Sequence, residues 1–194
     1  MQIDELPLKS QTSDEWARVV LSDFDGFLID HAACERKASA LCMSLICKYP
    51  DRTALVDPMV SLAREELQHF REVYKIMERR GLKLQPDEKD PYVNIILHNI
   101  RNDRDGRFLD RLLVSGIIEA RGCERFFLLS RHLEDSGLQD FYATLAKSEA
   151  GHYMVFTRLA ELYFAADEVA ERAEEIAVIE AEAAAAVPFR ARLH

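Results

Sequence analysis

Apolar residues recur at helical spacing (i, i+3, i+4) over almost the whole chain, and no stretch alternates with the two-residue period of a half-buried strand. Between Asp23 and Lys48 the repeating positions are Phe24, Phe27, Leu28, Leu41 and Leu45; alanine-rich turns fill between them, and Tyr49-Pro50-Asp51 ends the run. A shorter amphipathic piece, Ser13–Leu21, precedes it. Ser13 is placed to cap that helix, and Asp14 and Glu15 favour its positive end. The pattern next predicts a helix from about Pro58, or a turn earlier, to Arg80, with Gly81 as the residue that stops it. Residues 81–104 hold Pro86 and Asp90-Pro91 and read as a longer connection with one short helix at 92–99. Two further long helices follow, at 105–132 and 136–165, and an Ala/Glu-rich helix at 167–186 ends before Pro188.

Four of these helices run for roughly 25–30 residues, about 40 Å each at 1.5 Å per residue. Short links join long helices one to two and three to four, which makes each pair antiparallel neighbours. The longer link from two to three can cross a bundle. The expectation is an all-α, ferritin-like four-helix bundle with a long crossover and extra short or terminal helices, built as one domain over residues 1–194. Residues 167–194 form its C-terminal helix or tail. Composition agrees: 7 Gly and 6 Pro in 194 residues are too few for the turns of a β sandwich. The polar start MQIDELPLKS predicts no signal peptide, and no apolar run approaches the roughly 18 residues of a membrane span. Cys34, Cys42, Cys47 and Cys123 form no CxxC pair and read as reduced thiols of a cytoplasmic protein.

Chemistry enters through two short patterns. The second long helix contains Glu66-Leu67-Gln68-His69 and the fourth Glu149-Ala150-Gly151-His152. Residues at i and i+3 share a helix face, so each pair offers one carboxylate and one imidazole to the same ion. Glu35 stands 31 residues before Glu66, and Glu119 stands 30 before Glu149, while the halves repeat with offsets of 84, 83 and 83. Antiparallel helices joined by a short turn bring residues thirty apart to one level. A Glu from each of two helices plus Glu-x-x-His from the other two is the ligand set of a carboxylate-bridged dimetal site. Four carboxylates and two imidazoles suit two Fe(II) or Mn(II) ions.

Small residues near the first and third helices' glutamates (Ala32, Ala38 and Ser39; Ser115, Gly116, Gly122 and Cys123) leave room beside the carboxylates. Leu62, Phe70, Leu145 and Phe156 are expected to seal the core around the other two. His31, one turn before Glu35, reads as a satisfied polar neighbour rather than a seventh ligand. Glu65 and Glu124 fall off the ligand stripes. Tyr142 and Tyr153 read as core, and His98, His132 and His194 receive no role. This scaffold serves iron oxidation, peroxide disproportionation and O2-dependent hydroxylation alike, so a ferroxidase or manganese catalase-like bundle without an RNA substrate stands as the alternative.

The stretches Ile29-Asp30-His31-Ala32-Ala33-Cys34-Glu35-Arg36-Lys37-Ala38, Leu62-Ala63-Arg64-Glu65-Glu66-Leu67-Gln68-His69-Phe70 and Ile118-Glu119-Ala120-Arg121-Gly122-Cys123-Glu124-Arg125-Phe126 closely resemble the MiaE family. These are tRNA 2-methylthio-N6-isopentenyladenosine hydroxylases, non-haem di-iron monooxygenases. The resemblance spans roughly residues 5–165. It implies hydroxylation of the isopentenyl side chain of a hypermodified adenosine beside the anticodon. It further implies two iron ions held by Glu35, Glu66, His69, Glu119, Glu149 and His152, O2 as co-substrate, and a reductase or ferredoxin as external electron donor.

A tRNA partner must be squared with a net charge of −9. Residues 1–63 carry −4 and residues 133–194 carry −7, but residues 64–132 carry +2. Phosphate contacts need local positive charge only. The tRNA contacts are therefore expected at Arg79, Arg80 and Lys83, and at Arg101, Arg104 and Arg107.

Overall fold

In the computed structural model residues 6–194 are described; part of the N-terminal stretch read for a signal peptide, residues 1–5, lies outside the described residues. Seven α-helices and no strands are present among them: α1 (Asp14–Ser22), α2 (Phe24–Lys48), α3 (Val56–Arg79), α4 (Pro91–Leu97), α5 (Arg104–His132), α6 (Ser136–Tyr163) and α7 (Ala166–Ala186). A short 3-10 turn, Thr53–Leu55, leads into α3. No described helix is long and apolar enough to cross a membrane.

Helix starts are set by aspartates. The side chains of Asp23, Asp90, Asp103 and Asp135 accept from the backbone N–H of Gly26, Val93, Gly106 and Leu138, capping α2, α4, α5 and α6. Each such cap is worth about 1 kcal/mol and fixes where its helix begins. Gly106 is required by the cap itself, since a Cβ there would stand 2.6 Å from the Asp103 carboxylate. Gly81, at φ +70, adopts the left-handed turn that stops α3.

Contacts divide the chain into two compact units. One consists of Val19–Glu88 and Arg190–Leu193, and it contains α2 packed on α3. Its interior holds Phe27, Leu28, Leu45, Leu55, Met59, Leu62 and Val73, all buried. The end of the chain is tied to this unit: Arg192 pairs with Asp30 and Glu88, and the Leu193 N–H donates to Asp30 at 2.8 Å.

The other unit consists of residues up to Arg18, Lys89–Phe189 and His194. Here α5 packs on α6, and α7 lies against α4 and α5. Phe108, Leu112, Phe126, Tyr142, Leu145 and Phe156 are buried in it. Its second cement is ionic. Arg121, 1% exposed, forms a two-point pair with the fully buried Glu180 of α7 at 2.7 and 3.0 Å and reaches Glu124 at 2.7 Å. Tyr92 of α4 donates its hydroxyl to Glu180 at 2.8 Å. Glu124 in turn accepts from the Thr12 N–H at 2.6 Å and the Thr12 hydroxyl at 2.7 Å, which ties the N-terminal stretch to α5. The Glu180 carboxylate is thus one of the points that dock the C-terminal helix.

A separate anchor lies at the start of α5, where buried Asp110 accepts from both Arg101 and Arg172 at 2.8 Å. Burial pushes the Asp110 carboxyl up, but the Arg172 and Arg101 guanidiniums outweigh it and hold it below the usual carboxylate range. Its pairing therefore stabilises the fold above the ordinary carboxylate pKa, and that contribution disappears as pH falls through the depressed value.

Two outcomes follow for denaturation measurements. Glu180→Ala removes the two-point partner of buried Arg121, which keeps only Glu124, and takes the acceptor from Tyr92; it should cost about 3 kcal/mol by urea unfolding, with Glu180→Leu/Arg121→Met recovering much of it. Asp110→Asn should lower stability at neutral pH and flatten its decline on the acid side.

Candidate metal centre

Each helix pair carries one Glu/Glu/His triad. In the α2–α3 pair, Glu35, Glu66 and His69 offer ligand atoms within 4.8 Å of one another, and all three residues are buried. His69 Nδ1 lies 3.6 Å from both Glu35 Oε2 and Glu66 Oε2. In the α5–α6 pair, Glu119, Glu149 and His152 offer atoms within the same 4.8 Å; Glu149 and His152 are buried and Glu119 is half-buried. His152 Nδ1 stands 3.1 Å from Glu149 Oε2. The expected register therefore holds inside each pair: one turn of α3 or α6 aligns the Glu-x-x-His pair, and the neighbouring helix presents its glutamate at the same level.

Two carboxylates and an imidazole drawn this close fit a divalent ion. The donors are hard oxygen with borderline nitrogen, matched to iron or manganese, and their spread suits coordination at about 2.0–2.2 Å. His31 holds the first triad: its Nε2 lies 2.6 Å from Glu35 Oε1, and it is fully buried with the Phe27 ring 5.7 Å away. An imidazole bonded to the far side of a ligand carboxylate fixes that carboxylate's rotamer.

A Cβ on Gly116 would stand 3.4 Å from Tyr153 and Phe156 side-chain atoms, and one on Gly122 would stand 3.9 Å from Glu149 Cγ; both are ordinary contact distances, so α5 leaves room for a small side chain against α6 at these positions. The Ser39 hydroxyl donates to the Ala63 carbonyl and the Ser115 hydroxyl to the Arg111 carbonyl. Leu62, Leu145 and Phe156 are buried as expected, whereas Phe70 is half-buried and stacks with Tyr74. Tyr142 packs against Phe126 and Phe141. Burial, with the Glu149 and Glu124 carboxylates nearby, pushes the Cys123 thiol up to about 12, so it stays neutral.

Glu65 is exposed, off the stripe as its phase requires. Glu124 is also off the ligand stripe but is buried, bonded to Thr12, 112 residues away, and to Arg121 one turn before it on the same face of α5; its burial follows from the distant partners Thr12 and Glu180 that this Arg121/Glu124 pair meets, which periodicity does not show. Of the six cations expected to meet tRNA, Arg79, Arg80, Lys83, Arg104 and Arg107 are exposed and Arg101 is half-buried. Arg101 is engaged with Asp110, Arg107 donates to the Asn102 side chain at 2.7 Å, and Arg80 pairs with Asp25 at 2.6 Å while covering the Phe24 ring. His194, given no role from the sequence, stacks on Tyr92 at 5.2 Å.

These features can be set beside known proteins. A chain described as protein 43 with aldehyde deformylating oxygenase activity, from Synechococcus, superposes with a TM-score of 0.91 at 35% identity, covering 96% of this chain and 94% of that one. It shares the all-α, ferritin-like fold. A Pseudomonas putida protein named tRNA 2-(methylsulfanyl)-N6-isopentenyladenosine(37) hydroxylase is 39% identical over 171 residues, 88% of this chain and 83% of the relative. A Salmonella typhimurium protein of the same name is 35% identical over 128 residues, 66% of this chain and 47% of that relative. The model of the family described as tRNA-(ms2io6A)-hydroxylase (MiaE) matches residues 2–194. The chain belongs to the MiaE family of tRNA hydroxylases.

Proposed function

We propose that this protein hydroxylates the isopentenyl side chain of 2-methylthio-N6-isopentenyladenosine in tRNA, in the cytoplasm, using two iron ions and O2. The observation that carries this reading is the repetition of one triad on two helix pairs, Glu35/Glu66/His69 and Glu119/Glu149/His152, in a chain of the tRNA hydroxylase family. The matching sequence offsets support a shared role for the six residues as ligands of one dimetal centre within a single domain.

Bound there, two iron ions would supply the O2 activation that oxidation of an unactivated C–H bond needs. The balance is one C–H bond and O2 consumed, one C–OH bond and one water formed, with two electrons and two protons supplied from outside. A reductase or ferredoxin is the proposed electron donor. The protein's own residues do the rest. Glu35, Glu66, Glu119 and Glu149 provide the negative charge that retains divalent iron, and His31 keeps Glu35 in its ligating rotamer. Leu62, Leu145 and Phe156 exclude water from the carboxylates' surroundings, which protects reactive oxygen species from quenching. Of the sequence-derived cations, the exposed Arg79, Arg80, Lys83, Arg104 and Arg107 are proposed to meet tRNA phosphates.

The test is reduction of iron-loaded protein, exposure to O2 with hypomodified tRNA, and nucleoside mass spectrometry. A modified adenosine heavier by one oxygen atom is expected; iron oxidation with no such product would assign a ferroxidase instead. Glu119→Ala should abolish turnover and lower bound iron measured by metal analysis. His31→Ala should weaken iron affinity about 10–100-fold in a metal titration. Glu124→Ala should keep its iron but unfold earlier, because Arg121 and Thr12 lose their acceptor.

A further inference from the structure

A cleft of about 660 Å³ lies between α5, α6 and the N-terminal stretch, and the metal ligands do not use it. That volume falls within the roughly 300–1,000 Å³ of sites for small organic groups. Buried Cys123 and half-buried Ala150 are among its lining. Cys123 is one turn beyond Glu119 on α5, about 6 Å along the helix, and Ala150 follows Glu149 on α6. Leu6 and Leu8 form an apolar side. The exposed residues at its edge are of another kind: Phe127, 39% exposed, with the Arg131 guanidinium 5.8 Å from its ring centre, and Lys147.

We propose that this cleft receives the modified adenosine. The isopentenyl tail runs inward past Leu6 and Leu8 toward Cys123 and Ala150, the purine stacks on Phe127, and Arg131 and Lys147 meet the flanking phosphates. This rests on the hydroxylase reading above and names where its substrate enters. An apolar slot alone would suit any greasy group. The aromatic ring and two cations at its edge match a base with phosphates on either side, since single-stranded RNA is bound by stacking and by local positive charge. Glu124, which also borders the cleft, is consumed by Thr12 and Arg121. The tail is also short enough, five carbons, for its end to approach the level of Glu119. Arg104 lies at the other end of α5, about 40 Å away at 1.5 Å per residue, where only a more distant stretch of tRNA reaches.

The experiment measures binding of two anticodon stem-loops, one carrying the prenylated adenosine and one unmodified, by fluorescence anisotropy at several salt concentrations, alongside hydroxylation of full tRNA. Wild-type protein should prefer the prenylated loop by about tenfold or more, as burial of several CH2 groups requires. Ala143→Phe, which fills the cleft from α6, should bring that preference close to one; Ala143→Leu is the milder second variant, and both are checked for unchanged iron content and melting temperature. Arg131→Glu/Lys147→Glu should weaken both loops and reduce the salt slope by roughly 1.4, two single-strand phosphate contacts at about 0.7 each. Should the filled variants keep the preference, or the charge reversal leave affinity and slope unchanged, while wild type still hydroxylates tRNA, the cleft assignment is overturned alone. Failure of wild type both to hydroxylate tRNA and to discriminate the loops overturns the hydroxylase reading and the cleft with it.

Discussion

Carboxylates drawn together inside a protein repel one another and resist leaving water, and each buried ion costs several kcal/mol unless an opposite charge accompanies it. Each triad imposes that cost on its helix pair. Glu35 and Glu66 are turned toward the same His69, Glu149 toward His152, with Glu119 at the same level. Helices α2, α3, α5 and α6 answer with length and apolar contacts such as Leu62 and Phe156, and α2, α5 and α6 with aspartate caps, which hold the ligand atoms in place. A divalent cation turns the liability into a bond. Such a site is stabilised by its ion as strongly as it binds it.

The second buried cluster solves the same electrostatic problem without a metal. Arg121 and Arg125 face Glu124 and Glu180, so the group is neutral as a whole, and Tyr92 and Thr12 complete the acceptors' hydrogen bonds. Burial lowers Arg125 to about 10, yet it remains charged at neutral pH and lies over the Trp16 ring at 5.3 Å. Burial likewise opposes the charge on Arg121, but its pairs with Glu180 and Glu124 raise its pKa nonetheless. Helix α5 therefore carries Glu119, grouped with Glu149 and His152, and structural ion pairs at Arg121 and Glu124 within two turns. Separate faces keep the two groups apart.

The division between legible and hidden features follows from range in the sequence. Helix positions depend on local rules, so Asp23, Asp90-Pro91, Asp103 and Gly81 marked element ends to within a residue or two. The triads were legible because i, i+3 spacing is also local, and their repetition after about eighty residues sharpened it. Glu180 carries no such mark, since its partner Arg121 is 59 residues distant, and Glu124, beside its local i,i+3 partner Arg121, is tied to Thr12 at a distance of 112 residues. The charge count met the same limit. A net-positive middle third marks where cations lie along the chain, but only folding reveals that Arg101 serves Asp110 and that Arg172 comes from α7 to join it.

The Synechococcus chain named for aldehyde deformylation shares this fold, and the relatives named for tRNA hydroxylation share the family, so the fold by itself does not select the substrate. Selection must fall to residues that differ in what they admit to the metal-facing surfaces. In this chain such residues border α5 and α6: the N-terminal stretch fastened through Thr12, the ring of Phe127, and the small side chains of Ala143 and Ala146. Their placement depends on the neutral ionic cluster, because Glu124 fixes Thr12 and Arg121 fixes α7. The charge pairs that seem remote from oxidation chemistry thus determine the shape of the approach to it. Loosening them would alter the shape of the α5–α6 cleft before it altered the Glu/Glu/His triads.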